Sequence, residues 1–275
     1  MDGEQDKSEE RIGPKSSEDE AAVLAGRKYR RGLTLRAMLP NAITAAALCA
    51  GLTGIRFAIE ANWPLAVALI VIAGVLDGID GRIARLLNAQ SRFGAELDSL
   101  ADSLSFGVAP ALVLYLWALQ DLPRFGWFAA LAFAICCSLR LARFNAQIDT
   151  DEQPHKSAGF LTGIPAPVAA GIACLPFYLW MVTEEDVFRT PLYVAIWTGS
   201  IAFLMISNIA TLSWGALRPR RQIRLELIAV AGLLFAGIVL EPWWVLIGIS
   251  VIYLALMPYG LWRYAKIKRQ QQADR

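Results

Sequence analysis

Long apolar stretches follow one another along most of this 275-residue chain and leave little room for a soluble fold. A transmembrane helix needs about 20 predominantly apolar residues to cross a hydrocarbon core about 30 Å thick. Eight candidate spans lie near Met38–Ile59, Pro64–Gly78, Gly94–Leu119, Phe125–Arg143, Phe160–Val182, Pro191–Leu212, Leu225–Leu240 and Pro242–Trp262. Backbone polar groups in lipid must be satisfied within the span, and helices achieve this. The sequence therefore predicts an all-α, polytopic membrane protein with about eight transmembrane helices.

Composition supports this class of protein and separates the two ends of the chain from its middle. Hydrophobic residues make up 56% of the chain, whereas roughly 45–50% is usual for soluble domains. Residues 1–26 are polar and acidic and lack the apolar core of a signal peptide, which predicts a disordered cytosolic tail. We assign residues 27–265 to one transmembrane domain and residues 266–275 to a basic cytosolic tail. The net charge of +2 gives no indication of nucleic-acid binding.

The distribution of lysine and arginine predicts the orientation of the chain in the cell (inner) membrane. Alternate connections are rich in basic residues, from residues 27–36 at one end to residues 263–269 at the other. The opposite connections contain only Arg124 and Arg189, with Arg56 near the outer end of the first span. Cytosolic loops carry the excess of basic residues. An even number of spans then places both termini in the cytosol.

Four aspartates stand at the ends of the second and third spans. An aspartate at the centre of a membrane helix costs about 2.5–3.5 kcal/mol, so four of them need compensation. Asp77 and Asp80 are three residues apart, and Asp98 and Asp102 are four apart, so each pair shares one helix face. The polar turn around residues 88–92 allows two antiparallel helices to direct both pairs at each other. Hard carboxylate oxygens suit Mg²⁺ or Mn²⁺, and a bound cation would relieve their mutual repulsion.

Small residues and arginines accompany these aspartates. Gly81 follows Asp77 by one turn and Gly94 precedes Asp98 by one turn, which leaves space for a ligand against the backbone. Arg85 can pair with a phosphate or with an aspartate. The alternative interpretation is a structural ion network between the aspartates and the basic residues Arg82, Arg85 and Arg92.

The other reactive residue types form no recognisable catalytic set. The four cysteines lie in apolar stretches without a CxxC pair, which is typical of small buried side chains. His155 is the only histidine, so the two His-Lys-Asp motifs of a phospholipase-D-like synthase are not available. The aspartates therefore carry the strongest chemical signal in the chain.

The aspartate segment resembles the signature of the CDP-alcohol phosphotransferase family. The matching pattern is Asp77-x-x-Asp80-Gly81-x-x-Ala84-Arg85, eight further residues, then Gly94-x-x-x-Asp98-x-x-x-Asp102. Further segments resemble the phosphatidylserine synthase branch of that family, namely Pro40–Thr44, Ser138–Asn145, Phe160–Pro167 and Leu204–Ser207. The stretch after Ser207 departs from that branch, since it lacks the expected Arg-Tyr pair.

The resemblance implies a function and a set of site residues. It implies transfer of the phosphatidyl group of CDP-diacylglycerol to L-serine with release of CMP, in a homodimer with the family's helical fold and a cytosolic active site. It implies that two divalent ions, Mg²⁺ or Mn²⁺, are held by Asp77, Asp80, Asp98 and Asp102. Asp102 is also the candidate general base.

The resemblance also implies which residues contact the substrates. The candidates for the CDP-lipid are Asn41, Thr44, Gly81, Ala84, Arg85 and Gly94. The candidates for the serine carboxylate or the lipid phosphates are Arg143, Arg140 and Asn145. Asn41 and Thr44 can equally be polar residues at a helix start, and the two arginines can equally be charges that set topology. Gly163, Pro165 and Pro167 are expected to break or bend the start of the fifth span.

Three alternatives remain open at the level of function. The same chemistry can use another acceptor, such as glycerol 3-phosphate, inositol phosphate or choline, and the basic residues near Arg140 suit a phosphorylated one. Intramembrane carboxylates also occur in ion-coupled transporters, but no inverted repeat is visible in this sequence. A lipid-binding scaffold would not require this spacing of aspartates.

Overall fold

The computed structural model describes residues 35–148, 160–207, 210–212 and 224–273. Its helices are α1 Leu35–Ile59, α2 Trp63–Leu86, α3 Arg92–Asp102, α4 Ala109–Trp117, α5 Phe125–Ile148, α6 Ala166–Ala173, α7 Leu175–Thr183, α8 Pro191–Ile206, α9 Arg224–Leu240 and α10 Pro242–Ala273. Two three-residue strands, β1 Phe160–Thr162 and β2 Ala210–Leu212, pair antiparallel. The predicted tail at residues 1–26 and the His155 loop lie outside the described residues.

Five helical segments are long and apolar enough to cross a membrane, within the part of the chain that the structure describes. They are Met38–Ile59, Trp63–Leu86, Arg92–Trp117, Phe125–Ala146 and Ala166–Thr183. Two shorter apolar helices, Pro191–Ile206 and Pro242–Pro258, coincide with predicted spans. The predominantly helical membrane architecture is thus as predicted, whereas the number of eight crossings is not reached by this criterion.

The second span is longer than predicted, because its helix does not end where its apolar run ends. Helix α2 continues from Gly78 to Leu86, past Asp80 and two arginines. Asn88 then adopts a positive φ of 49°, a conformation that asparagine tolerates better than most residues. Ser91 begins α3, and its side chain accepts a hydrogen bond from the Gly94 N–H at 3.0 Å. The polar turn predicted between the aspartate pairs is therefore short and well capped.

A π-helical turn, Ser103–Val108, connects α3 to α4 within the third span. Two glycines allow neighbouring helices to pack closely against it. A Cβ on Gly51 of α1 would lie 2.9 Å from the Ser105 Cα, and one on Gly107 would lie 3.1 Å from the Cys137 Cβ of α5. The turn is therefore enclosed by α1 on one side and α5 on the other.

The fifth span begins later than predicted, and the sixth ends earlier. Residues Phe160–Thr162 and Ala210–Leu212, predicted to be helical, form the two short strands instead. Pro165 precedes the first residue of α6 and Pro167 lies in its first turn, where a missing N–H is tolerated. Gly163 has a φ of +73°, and a Cβ there would lie 2.5 Å from the Met205 carbonyl oxygen at the end of α8. The predicted fifth span is thus broken at its start, which is one of the two predicted outcomes, and its helix begins after Pro165.

An aromatic cluster lies at the end of the bundle opposite the α2–α3 turn. Its rings come from the C-terminal end of α4, from α7 and from the start of α10, and they are Trp117, Phe177, Tyr178, Trp180 and Trp243. Arg189 joins this end, since its Nε donates to the Trp117 carbonyl oxygen at 3.2 Å. The aspartates and this cluster therefore occupy opposite ends of the protein.

Candidate metal centre

Three of the four aspartates converge between α2 and α3. One carboxylate oxygen from each of Asp77, Asp98 and Asp102 lies within 4.8 Å of the other two, and all three residues are half-buried. The carboxyl groups of Asp77 and Asp102 are within hydrogen-bonding reach of each other. The helical spacing of the residues, together with the short turn at residues 87–91, brings the carboxylates of two helices to one place.

The donor set fits a hard divalent cation. Two oxygens on one Mg²⁺ lie at most about 4.2 Å apart, twice the metal–oxygen distance of about 2.1 Å. The three carboxylates need only small side-chain rotations to reach that spacing. No sulfur or imidazole ligand takes part, which favours Mg²⁺ or Mn²⁺ over softer metals.

Asp80 has a different environment from the other three aspartates. It is 4% exposed, and its Oδ2 accepts a hydrogen bond from the Thr44 Oγ1 of α1 at 2.6 Å. Thr44 is itself buried and also lies 3.1 Å from the Pro40 carbonyl oxygen. The structure therefore places Asp80 beside the cluster and hydrogen-bonded to α1, rather than among the three carboxylates that meet.

The arginines near the motif do not neutralise the aspartates. Arg85 is exposed, and its Nε donates to the Gly81 carbonyl oxygen of its own helix at 2.9 Å. Over the residues that the structure describes, the one ion pair is Arg56–Glu60, far from the site along α1. The structural ion network considered from the sequence is therefore not formed. Neither Arg85 nor its neighbouring arginines therefore form an ion pair with these carboxylates in the described residues.

The two motif glycines have different surroundings. A Cβ on Gly81 would meet no atom within 4 Å, so space is open beside α2. A Cβ on Gly94 would lie 2.9 Å from the Asn41 Oδ1, so this glycine makes room for a side chain of α1. The Asn41 Nδ2 is buried and has no hydrogen-bond partner among the described residues. Ala84, one turn after Gly81 on α2, is half-buried.

The α5 residues predicted to contact serine or phosphate have distinct roles in the structure. Arg143 Nη1 donates to the Ile206 carbonyl oxygen at 3.2 Å, which places a positive charge at the C-terminus of α8. Arg140 is half-buried, interacts electrostatically with Asp102, and has an Nε without a hydrogen-bond partner in the described part of the chain. Asn145 Nδ2 donates to Ser99 Oγ at 2.9 Å. Arg140 thus interacts with an aspartate of the cluster itself.

Two serines beside the motif were not singled out from the sequence. Ser99 and Ser103 directly follow Asp98 and Asp102, and both form hydrogen bonds with α5. The repeated Asp-Ser pair, four residues apart, is the sequence signal that could have pointed to these serines. Serine is common in membrane helices at helix contacts, so the two serines alone indicate no role at the site. Their hydrogen-bond partners on α5 are known only from the structure.

The architecture and this cluster define a helical membrane protein with a carboxylate site for a divalent cation at one end of its bundle. The chain belongs to the CDP-alcohol phosphatidyltransferase family. The model of that family matches residues 37–212, and the model of a second family, CDP-alcohol phosphatidyltransferase 2, matches residues 222–258.

Curated relatives with the same enzyme name occur in distant bacteria. The CDP-diacylglycerol–serine O-phosphatidyltransferase of Mycobacterium tuberculosis (strain ATCC 25618 / H37Rv) is 40% identical over 84% of this chain and 80% of its own length. The enzyme of that name from Helicobacter pylori (strain ATCC 700392 / 26695) is 33% identical over 78% of this chain and 89% of its own. That of Bacillus subtilis (strain 168) is 37% identical over 62% of this chain and 88% of its own.

Proposed function

We propose that this chain transfers the phosphatidyl group of CDP-diacylglycerol to L-serine, forming phosphatidylserine and CMP in phospholipid biosynthesis. The observation that carries the proposal is the convergence of Asp77, Asp98 and Asp102 from two helices, in a chain 40% identical to enzymes named for this reaction. Family membership supports the phosphotransferase chemistry, and the relatives' names support serine as the acceptor.

The reaction exchanges a phosphoanhydride bond for a phosphodiester bond. The serine hydroxyl oxygen attacks the phosphorus that bears diacylglycerol, and the bond from that phosphorus to the bridging oxygen of CMP breaks. The hydroxyl proton passes to a carboxylate, for which we propose Asp102, because it stands deepest along α3 in the cluster. A bound divalent cation would supply charge neutralisation for the two phosphates and the leaving CMP.

We propose that Asp77, Asp98 and Asp102, with Asp80 beside them, hold two ions of Mg²⁺ or Mn²⁺. The open space at Gly81 and Ala84 suits the CDP group, and the exposed Arg85 side chain suits its phosphates. The buried amide of Asn41, which lacks a partner in the described residues, suits a polar edge of cytosine near Gly94. Thr44 supports this region through Asp80 rather than by a free hydroxyl.

For the serine carboxylate we propose Arg140 before Arg143. Arg140 has an unpaired Nε in the described part of the protein and interacts with Asp102, whereas Arg143 already donates to the end of α8. A planar guanidinium binds a carboxylate through two parallel hydrogen bonds. Arg143 would then position the α5–α8 contact beside the acceptor site.

The setting of the site in the membrane is also part of the proposal. We infer eight crossings, a cell-membrane location, and cytosolic positions for both termini and the active site, because basic residues flank the site-bearing end. A homodimer is what family resemblance favours. Light scattering of the detergent-solubilised protein at several concentrations measures that assembly.

Release of CMP tests the proposed reaction. Detergent-purified protein is incubated with CDP-diacylglycerol, Mn²⁺ and one acceptor at a time. Release that requires L-serine supports the proposal, and release that requires glycerol 3-phosphate, inositol phosphate or choline identifies another acceptor for the same chemistry. No release with any acceptor contradicts the enzymatic function.

A further inference from the structure

Hydrogen bonds to α5 from α3 and from the first residue of the π-helical turn occur beside two aspartates of the metal centre. Ser99, next to Asp98, accepts from the Asn145 Nδ2 at 2.9 Å. Ser103, next to Asp102, has its Oγ 2.8 Å from the Ser138 Oγ. Each bond joins a residue adjacent to a carboxylate to the same neighbouring helix.

The direction of each bond follows from the other bonds that the hydroxyls make. Ser99 Oγ donates to the Ala95 carbonyl oxygen at 3.0 Å. Its one proton is thereby used, and its lone pairs are free to accept from Asn145. Ser138 Oγ likewise donates to the Ala134 carbonyl oxygen at 3.1 Å, so Ser103 is the donor in the serine pair. Both serine side chains are therefore held in single orientations.

Helix α3 packs against α1, where Gly94 lies against the Asn41 side chain, and most of its remaining surface is exposed. Among its residues only Ala101 is fully buried, while Phe93 and Leu100 are exposed. The same helix must hold two carboxylates close to the carboxylate of Asp77, against their repulsion. Polar bonds between helices are among the interactions that fix helix position in a bilayer, where apolar packing does not distinguish protein from lipid.

We propose that Asn145 and Ser138 are positioning residues that hold α3, through Ser99 and Ser103, at the place where Asp98 and Asp102 meet Asp77. The proposal rests on the proposed metal-dependent function but assigns Asn145 a task other than contact with serine. One N–H of its amide group donates to Ser99. The effect of Asn145 on the reaction therefore passes through cation affinity and not through acceptor affinity.

Titration of purified protein with Mn²⁺, followed by the electron paramagnetic resonance signal of free Mn²⁺, tests this without any substrate. Loss of residues that orient metal ligands typically weakens metal binding by about 10–100-fold. We expect Asn145→Ala and Ser99→Ala each to raise the Mn²⁺ Kd by about tenfold. Because both changes remove one and the same bond, the double variant should stay within about twofold of either single variant.

Matched variants separate this bond from the general loss of a hydroxyl. Ser200 of α8 makes the same bond to the carbonyl four residues earlier, at 2.7 Å, and is exposed at a distance from the site. Ser200→Ala should leave the Mn²⁺ Kd unchanged. Ser99→Thr keeps the hydroxyl and should retain the affinity of the original protein. Ser138→Ala removes the second bond and should also raise the Mn²⁺ Kd, which keeps the test available if Asn145→Ala is not monodisperse.

Several outcomes would overturn the proposal. An unchanged Mn²⁺ Kd in both Ser99→Ala and Asn145→Ala would contradict the positioning role. A higher serine KM of Asn145→Ala at saturating Mn²⁺, with an unchanged Mn²⁺ Kd, would contradict it as well. If the original chain takes up no Mn²⁺, the metal centre and this proposal fail together. If it binds Mn²⁺ but releases no CMP, the proposed reaction fails while the positioning role remains measurable.

Discussion

At the scale of single residues, the four aspartates of the motif divide into two environments. Asp77, Asp98 and Asp102 meet without forming an ion pair in the described residues, whereas Asp80 is buried against Thr44. A buried carboxylate is costly unless it is hydrogen-bonded. The spacing of the motif predicts that all four share one region. The spacing cannot predict which aspartate is hydrogen-bonded to a third helix, because that depends on the position of α1.

Thr44→Val should destabilise the protein. The substitution keeps the shape of the side chain but removes the donor to Asp80, and a buried acceptor left unsatisfied costs about 1–3 kcal/mol. We expect a lower Tm in detergent, and Thr44→Ser should restore most of it. Thr53→Val on the same helix removes only a bond to the Cys49 carbonyl oxygen. Equal Tm values for the Thr44 and Thr53 variants would contradict the importance of the Thr44–Asp80 bond.

Asp98→Asn should abolish turnover while leaving the protein folded. The amide removes one negative charge from the cation site. A metal ion stabilises the charge of the transition state by several kcal/mol, so its loss should decrease CMP release by more than about 100-fold. Size-exclusion chromatography checks the fold. Asp121→Asn, in the turn after α4, is the control and should retain activity. Near-normal activity of Asp98→Asn would exclude a metal-binding role for this residue.

At the scale of helices and turns, the third span shows what local sequence patterns can and cannot predict. The aspartate spacing correctly predicted helices on both sides of a short polar turn. The π-helical turn after Asp102 was not predictable, because it coincides with close packing of α1 and α5 rather than with any local preference. Similarly, the strand at residues 160–162 depends on pairing with residues 210–212, which are distant in sequence.

Gly51→Ala tests the packing of α1 on this turn. The new Cβ would lie 2.7 Å from Ser105 Oγ and 2.9 Å from the Ser105 Cα. Overpacking of this kind costs about 1–3 kcal/mol, because backbone cannot move aside freely. Gly199→Ala is the matched control, since a Cβ there meets no atom within 4 Å, and alanine improves a helix by about 0.5–1 kcal/mol. We expect a lower Tm for Gly51→Ala and an equal or higher Tm for Gly199→Ala; the opposite order would contradict the close approach.

At the scale of the whole molecule, apolar runs predict where helices cross but not where they end. Helix α2 extends beyond its apolar run to Leu86, and α10 extends to Ala273. Charged residues beyond the hydrocarbon core are solvated by headgroups and water, so a helix can continue there without cost. Five segments reach the length and composition of a crossing in the described residues. The shorter helices depend on their neighbours and on bilayer thickness, which hydropathy does not report.

Orientation can be measured with two single-cysteine variants at opposite ends of the bundle. Gln90 is exposed in the turn between α2 and α3 beside the aspartates, and Glu185 is exposed after α7 beside the aromatic cluster. Both are introduced, as Gln90→Cys and Glu185→Cys, after the four native cysteines have been replaced by alanine and Mn²⁺ binding has been shown to persist.

In right-side-out vesicles, a membrane-impermeant maleimide should label Glu185→Cys at once and Gln90→Cys only after detergent is added. The excess of arginine at the Gln90 end favours its retention in the cytosol, and the Glu185 end has few basic residues. For the proposed reaction, this labelling pattern would place the aspartate cluster on the cytosolic side, where a water-soluble acceptor is present. Labelling of Gln90→Cys from outside would reverse the orientation and would place the acceptor site on the wrong face of the membrane for a cytosolic amino acid.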